Sequence, residues 1–295
     1  MVIAAVREPA ASRPQYAIDV EDVEYLRHGD KPLLLRLYRP RGSGPFPMLV
    51  EIHGGAWCNG DRLSNNAQNE ALAKSGIVVA ALDFRMPPQA GYPHTMADIH
   101  YAIRWLKGRA ASVHGNAGRV GLIGNSSGGH LAMLLAMRPT DPRYAAITST
   151  GQADSRVGCV VMCWPVIDPL GRYNYARELQ AAGASRPESI DRVIPLHIQF
   201  WGDEKAMAEG NPVMALERGE PAVLPPVLCL QGTKDQMHPR PHLDRFIEQY
   251  RKRGGSLELA LYEGEGEGFF ARNPQSPNTA KGIEQIIDWV HARLA

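Results

Sequence analysis

Long apolar runs are missing from this 295-residue chain: no stretch reaches the roughly eighteen consecutive apolar residues of a membrane span. Net charge is missing too. Lys and Arg number 32 against 31 Asp and Glu, so the formal charge is +1 and nothing points to nucleic acid or an anionic membrane as a partner. Cysteine is scarce. Cys58, Cys159, Cys163 and Cys229 have neither the spacing of a zinc site nor that of a disulfide framework. They read as small buried thiols in a reducing cytosol, which predicts a cytoplasmic protein. There is no internal repeat. The opening "MVIAAVREPAASRPQY" carries charges and prolines where a signal peptide has an apolar core, so residues 1–20 read as a loose arm.

What the chain does have is a regular alternation. "DVEYLRHG" and "LLLRLYRP" read as two early strands joined by a turn at Gly29-Asp30. "MLVEIHGG", "IVVAALDF", "RVGLIGN", "VGCVVMCWPVID", "PPVLCLQG" and "LELALYEG" are further strand candidates. Helical spacing lies between them. Met96, Ile99, Ile103 and Leu106 share one helix face, Leu243, Phe246, Ile247 and Tyr250 another, and Ile283, Ile286, Ile287, Val290 and Leu294 a third. Strands that are apolar throughout, rather than alternating, are covered on both faces. The pattern predicts one α/β domain over residues 1–295, with a mostly parallel, doubly wound sheet of about eight strands that begins antiparallel. Residues of about 169–222 break the rhythm, being mixed in character and rich in aromatics. They join two central strands at the end where sites form in such sheets, and read as a helical cap over a pocket.

Two motifs carry chemistry. "GNSSG", Gly124 to Gly128, fits G-x-S-x-G between a strand and a helix. The two glycines permit a sharp turn, which leaves Ser126 exposed at the tip as a nucleophile candidate, with Ser127 the competing hydroxyl. "HGGAW", His53 to Trp57, follows another strand. Backbone N–H groups of its Gly54-Gly55-Ala56 turn, with that of Ser127, can point at a developing oxyanion. His53 itself reads as a structural hydrogen-bonding residue. His130 reads as a packed one.

Together these motifs resemble the α/β-hydrolase fold, in its hormone-sensitive-lipase-like carboxylesterase group. "HGGAW" is also similar to the HGGxW of kynurenine formamidase-like enzymes. The resemblance covers the chain from about Asp22 to the end. It implies a carboxylesterase acting on small or medium esters, or on aryl amides, without a metal or organic cofactor. It places the triad acid at Asp235, in "LQGTKD", with Asp168 the fallback. It places the triad base in "YEGEGEGFF", where the family has G-H-G-F. Here the residue is Glu267.

A glutamate with its ordinary pKa of about 4.3 is a much weaker base than imidazole. Burial, or a carboxylate neighbour such as residue 235, brings a group of this kind towards a useful value. Three readings follow: a hydrolase that has lost its histidine, a Ser–Glu–Asp hydrolase in which Glu267 is the working base, or a small-ligand-binding, receptor-like relative without catalysis. His238, three residues after Asp235, is an alternative base. His238 and His242 have the spacing of a metal pair but lack a third ligand. Glu263 and Glu265 read as solvated loop residues. A homodimer is compatible with the sequence but is not specified by it.

Overall fold

The computed structural model describes residues 13–149, 151–183 and 188–294. Most of the arm assigned to residues 1–20 lies outside these, and the first strand already starts at Ile18. Strands β1 (Ile18–His28) and β2 (Lys31–Pro40) form an antiparallel hairpin about Gly29-Asp30. β3 (Phe46–Ile52) leads to α1 (Asn66–Lys74), β4 (Val78–Leu82) and α2 (His94–Gly108). β5 (Gly115–Asn125) runs into α3 (Ser127–Met137), and β6 (Cys159–Cys163) follows. Four helices come next: α4 (Pro169–Ala182), α5 (Val193–Trp201), α6 (Glu204–Glu209) and α7 (Pro212–Glu217). The chain closes with β7 (Val227–Gly232), α8 (Arg240–Lys252), β8 (Leu257–Tyr262), the single turn α9 (Phe269–Arg272) and α10 (Pro277–Leu294).

The eight strands form one sheet in the order β1-β2-β4-β3-β5-β6-β7-β8. β1, β2 and β4 pair antiparallel in turn, and every later pairing is parallel. This is the α/β-hydrolase arrangement. Successive residues of β3 divide the core between the two faces, as strand geometry requires. Met48, Val50 and Ile52 pack with Ile99 and Ile103 of α2, Leu131 and Leu135 of α3 and Phe246 of α8. Leu49 packs with Leu72 of α1 and Ile286 and Val290 of α10.

Glu51 is a further position on that second face, and it is fully buried. Asn65 and Asn69 donate to its carboxylate at 2.8 and 3.3 Å. No cation lies among those donors, and burial pushes the carboxyl up to about 7.

The helices α4 to α7 all fall between β6 and β7, which are adjacent in the sheet. Asp168 anchors this excursion at its start. Its carboxylate accepts from the Gly171 amide at 2.8 Å, from Asn211 at 2.6 Å and from Arg245 at 3.1 Å. That set ties α4 to the start of α7 and to α8, so the fallback acid is occupied with structure.

Candidate active site

The turn from β5 into α3 is as tight as the glycine spacing implies. A Cβ on Gly124 would lie 2.3 Å from the Gly128 carbonyl oxygen, and one on Gly128 would lie 2.0 Å from that of Ile52. Ser126 sits between them at φ 53°, ψ −117°, a region that a side chain adopts only where the surroundings enforce it. The enforcement is visible. The Ser126 amide donates to Cys163 of β6 at 2.9 Å, and its carbonyl accepts from Val166 at 3.1 Å. Its N–H neighbour Ser127 opens α3 and has no intrahelical acceptor.

The "HGGAW" turn lies against this elbow. A Cβ on Gly54 would stand 2.9 Å from the Asn125 carbonyl oxygen and 3.3 Å from the Ser126 Cβ. Gly55, Ala56 and Trp57 all have positive φ, which curls the turn tightly. The N–H groups of Gly55 and Ala56 find no acceptor among the described residues. His53 stiffens the turn, its ring stacking on Phe84 at 4.3 Å and its Nδ1 donating to Gly54 at 2.8 Å. Burial holds that ring below its ordinary pKa, so it stays neutral, as befits a structural residue.

Trp57 joins the turn to the α4–α7 excursion. Its amide donates to the Ser127 hydroxyl at 3.1 Å, and its indole N–H donates to His130 Nδ1 at 3.2 Å. His130 then donates from Nε2 to Gly210 at 2.9 Å. Burial pulls His130 down to about 4, which keeps the acceptor nitrogen free. Phe200 of α5 stacks on Trp57 at 5.4 Å. The turn, the start of α3 and α5 are therefore one packed unit.

Asp235 and His238 lie on the loop between β7 and α8. The Asp235 Oδ1 accepts from the amides of Met237 at 2.8 Å and His238 at 3.0 Å, which curls the loop back on itself. That curl brings the His238 Nδ1 to 2.9 Å from Oδ2, which also accepts from Gln231 at 2.8 Å. Burial alone would raise the Asp235 carboxyl. The His238 ring and the surrounding N–H donors outweigh it and hold the group below its ordinary value. The other ring nitrogen, His238 Nε2, faces Ser126 Oγ at 3.4 Å. Ser126, His238 and Asp235 thus form one line of side chains, all nearly buried.

Glu267 is placed differently from the sequence expectation. It borders a cavity of about 200 Å³ together with Ser126, but its carboxylate pairs with Arg272 at 2.8 Å rather than with the serine. The side chain that faces Ser126 is His238, the one read as the alternative base. The reason is local. A strand-end aspartate that caps its own loop can present the residue three positions on, so no separate loop is needed to deliver a histidine. Glu265 also departs from expectation. It is buried, and it accepts from Asn273 at 3.0 Å, Ser276 at 2.7 Å and Asn278 at 3.0 Å. Its carbonyl takes the Lys234 amide at 2.8 Å, which ties the loop after β8 to the one holding Asp235.

Arg172 of α4 escaped the sequence reading. It is almost fully buried, and its Nε donates to the Met237 carbonyl at 3.1 Å, one residue before His238. Burial draws its guanidinium down to about 10, against the attraction of Glu267 and Asp235. An arginine inside a mixed segment carries no pattern in the sequence; its role exists only once α4 docks beside the loop. His242 faces the same small cavity as Arg172 and His238. Among the described residues no group of three or more His, Cys, Asp or Glu side chains could hold a metal ion, and no helix is long and apolar enough to cross a membrane.

The glycine-flanked turn at Ser126, the "HGGAW" turn and the acid–histidine pair on the loop after β7 lie together in one site, and a family model matches residues 35–249. The chain belongs to the BD-FAE family. It is similar to esterase LipC of Mycobacterium tuberculosis, 28% identical over 91% of this chain and 65% of that protein. It is also similar to the probable carboxylic ester hydrolase LipM of the same organism, 26% identical over 71% of this chain and 46% of that protein. The chain therefore spans about half to two-thirds of the length of these relatives. Among solved structures, an esterase of Pyrobaculum calidifontis superposes with a TM-score of 0.75 at 21% identity, covering 95% of this chain and 87% of that one. That likeness bears on the fold.

Proposed function

We propose that this BD-FAE chain is a serine carboxylesterase for small or medium esters, with Ser126 as nucleophile, His238 as base and Asp235 as the acid that orients it. The observation that carries the reading is the run from Ser126 Oγ to His238 Nε2 at 3.4 Å and from His238 Nδ1 to Asp235 at 2.9 Å. A nucleophile–base distance of this kind is loose for a hydrogen bond, and such contacts commonly tighten when substrate binds. Esterases and carboxylic ester hydrolases among the relatives support the same reaction class.

The chemistry follows from the geometry. Ser126 Oγ attacks the ester carbonyl carbon while its proton passes to His238 Nε2. Asp235 holds the ring by Nδ1–H and stabilises its positive charge. The carbonyl oxygen becomes an oxyanion against the amides of Gly55, Ala56 and Ser127, with Gly54 setting their approach. His238 returns the proton to the departing alkoxide, leaving an acyl-serine. A water then attacks the acyl carbon, gives its proton to His238, and Ser126 is regenerated as the acid product leaves. The helices α4 to α7 act as a cap that shapes the pocket, being packed on the oxyanion turn through Trp57. Because a proton acceptor faces the serine, turnover is favoured over a binding-only role.

The test is hydrolysis of a p-nitrophenyl ester with continuous release of p-nitrophenol. Expected are steady turnover by the wild type, its loss in Ser126→Ala, and stoichiometric labelling of Ser126 by an alkyl phosphonate. Wild-type protein that neither turns over nor is labelled would sink the proposal. The amide turn gives a second expectation. Gly54→Ala should lower kcat by about 100-fold, because its Cβ pushes the turn off Asn125 and Ser126. Steady-state kinetics on the folded variant read this, and an unchanged kcat would remove the turn from the mechanism.

A further inference from the structure

With His238 facing Ser126, Glu267 has no proton to move, yet it borders the cavity beside the serine. That cavity holds about 200 Å³, room for a small polar arm of a substrate. Of the described side chains lining it, only Glu267 bears a formal charge. Asn125 also lines it. Its Nδ2 is committed to Asn65 at 3.1 Å and Gln68 at 3.2 Å, while its Oδ1 is buried and has no partner among the described residues. Trp164 and Phe270 form an aromatic wall with ring centroids 5.0 Å apart and planes at 88°. A carboxylate and aromatic rings both attract positive charge, and the carbonyl dipole of Asn125 adds to the negative field beside them. None of them suits an anionic group.

We propose that this cavity is a subsite for a cationic group carried on the ester, making small esters with an ammonium substituent the preferred substrates. The inference rests on the esterase reading above and adds the substrate class to it. Arg272 is the built-in competitor. It pairs with Glu267 at 2.8 Å, but its side chain is 66% exposed, so solvent screens the pair and a ligand cation can take its place. Arg172 also attracts Glu267, but it is anchored on Met237 and borders a different, smaller cavity.

The experiment compares matched esters that differ in charge alone. One pair is butyrylcholine and 3,3-dimethylbutyl butyrate, with the charge in the alcohol. The other is p-nitrophenyl 4-(trimethylammonio)butyrate and p-nitrophenyl 5,5-dimethylhexanoate, with the charge in the acyl part. In one of these pairs the cationic member should have a kcat/KM about tenfold above its neutral twin. Glu267→Gln should bring that ratio towards parity, and Arg272→Gln should raise it. A merely structural role for either residue would change both members alike. Neutral esters hydrolysed as fast as cationic ones in both pairs would overturn the subsite while leaving the esterase intact. Failure to hydrolyse any of the four, with Ser126 unlabelled by phosphonate, would overturn the esterase reading and this inference with it.

Discussion

His238→Gln should lower kcat/KM for an activated aryl ester by about 10⁴-fold, on the order of 5 kcal/mol of transition-state stabilisation. Glutamine roughly fills the volume of the ring but takes up no proton near neutral pH. Ser126 would then attack without a base, and only the oxyanion turn and substrate binding would remain to accelerate the reaction. Glu267→Gln should lose far less on the same neutral ester, because its carboxylate is engaged by Arg272 rather than by the serine. Glu267→His should bring no large gain, since Ser126 already has an imidazole at 3.4 Å. Measuring the three variants side by side decides among the readings the sequence leaves open. A collapse in Glu267→Gln with His238→Gln active would restore the carboxylate as base. A large gain in Glu267→His would mean that the histidine had been lost.

The second large effect concerns stability rather than rate. Glu51 has an ordinary pKa of 4.5 in water and about 7 in the folded chain, where burial penalises its charge. The native state therefore binds this proton more tightly than the unfolded chain does. By linkage, the contribution of Glu51 is most favourable below pH 4.5, declines as pH rises towards 7, and is flat above that. The loss across the window is about 3 kcal/mol. Glu51→Gln removes the titration and can satisfy the same ring of amides. Its amide N–H₂ can donate to Asn69 Oδ1, which is buried and lacks a partner among the described residues. Denaturant unfolding at pH 5, 6, 7 and 8 should show the variant gaining on the wild type by about that amount. Parallel pH curves for the two proteins would show that Glu51 stays charged in the fold. Asn65 bridges Glu51 to Asn125 beside the serine, which couples this buried carboxyl to the site.

The sequence by itself determined the sheet and its two glycine turns, the one that carries Ser126 and the one at "HGGAW". Their signals are local. Apolar strands declare burial on both faces, the glycines of "GNSSG" and "HGGAW" declare turns that no other residue can make, and each motif sits whole within a few residues. Asp235 was readable too, through resemblance, as an aspartate just beyond a strand end. What only the tertiary structure decided is which side chain meets Ser126. His238 and Glu267 lie on the loops that follow β7 and β8, and sequence distance is silent about which of the two side chains turns towards the serine. The Asp235 carboxylate settles it by gathering the Met237 and His238 amides and turning the ring towards the serine. The same holds for Arg172, Glu265 and Glu51. Each is a buried charged residue whose hydrogen-bond partners come from outside its own element: Met237 for Arg172, Asn273, Ser276 and Asn278 for Glu265, and Asn65 and Asn69 for Glu51. Backbone shape is written in neighbouring residues; the environment of a charge is written by whatever packs against it.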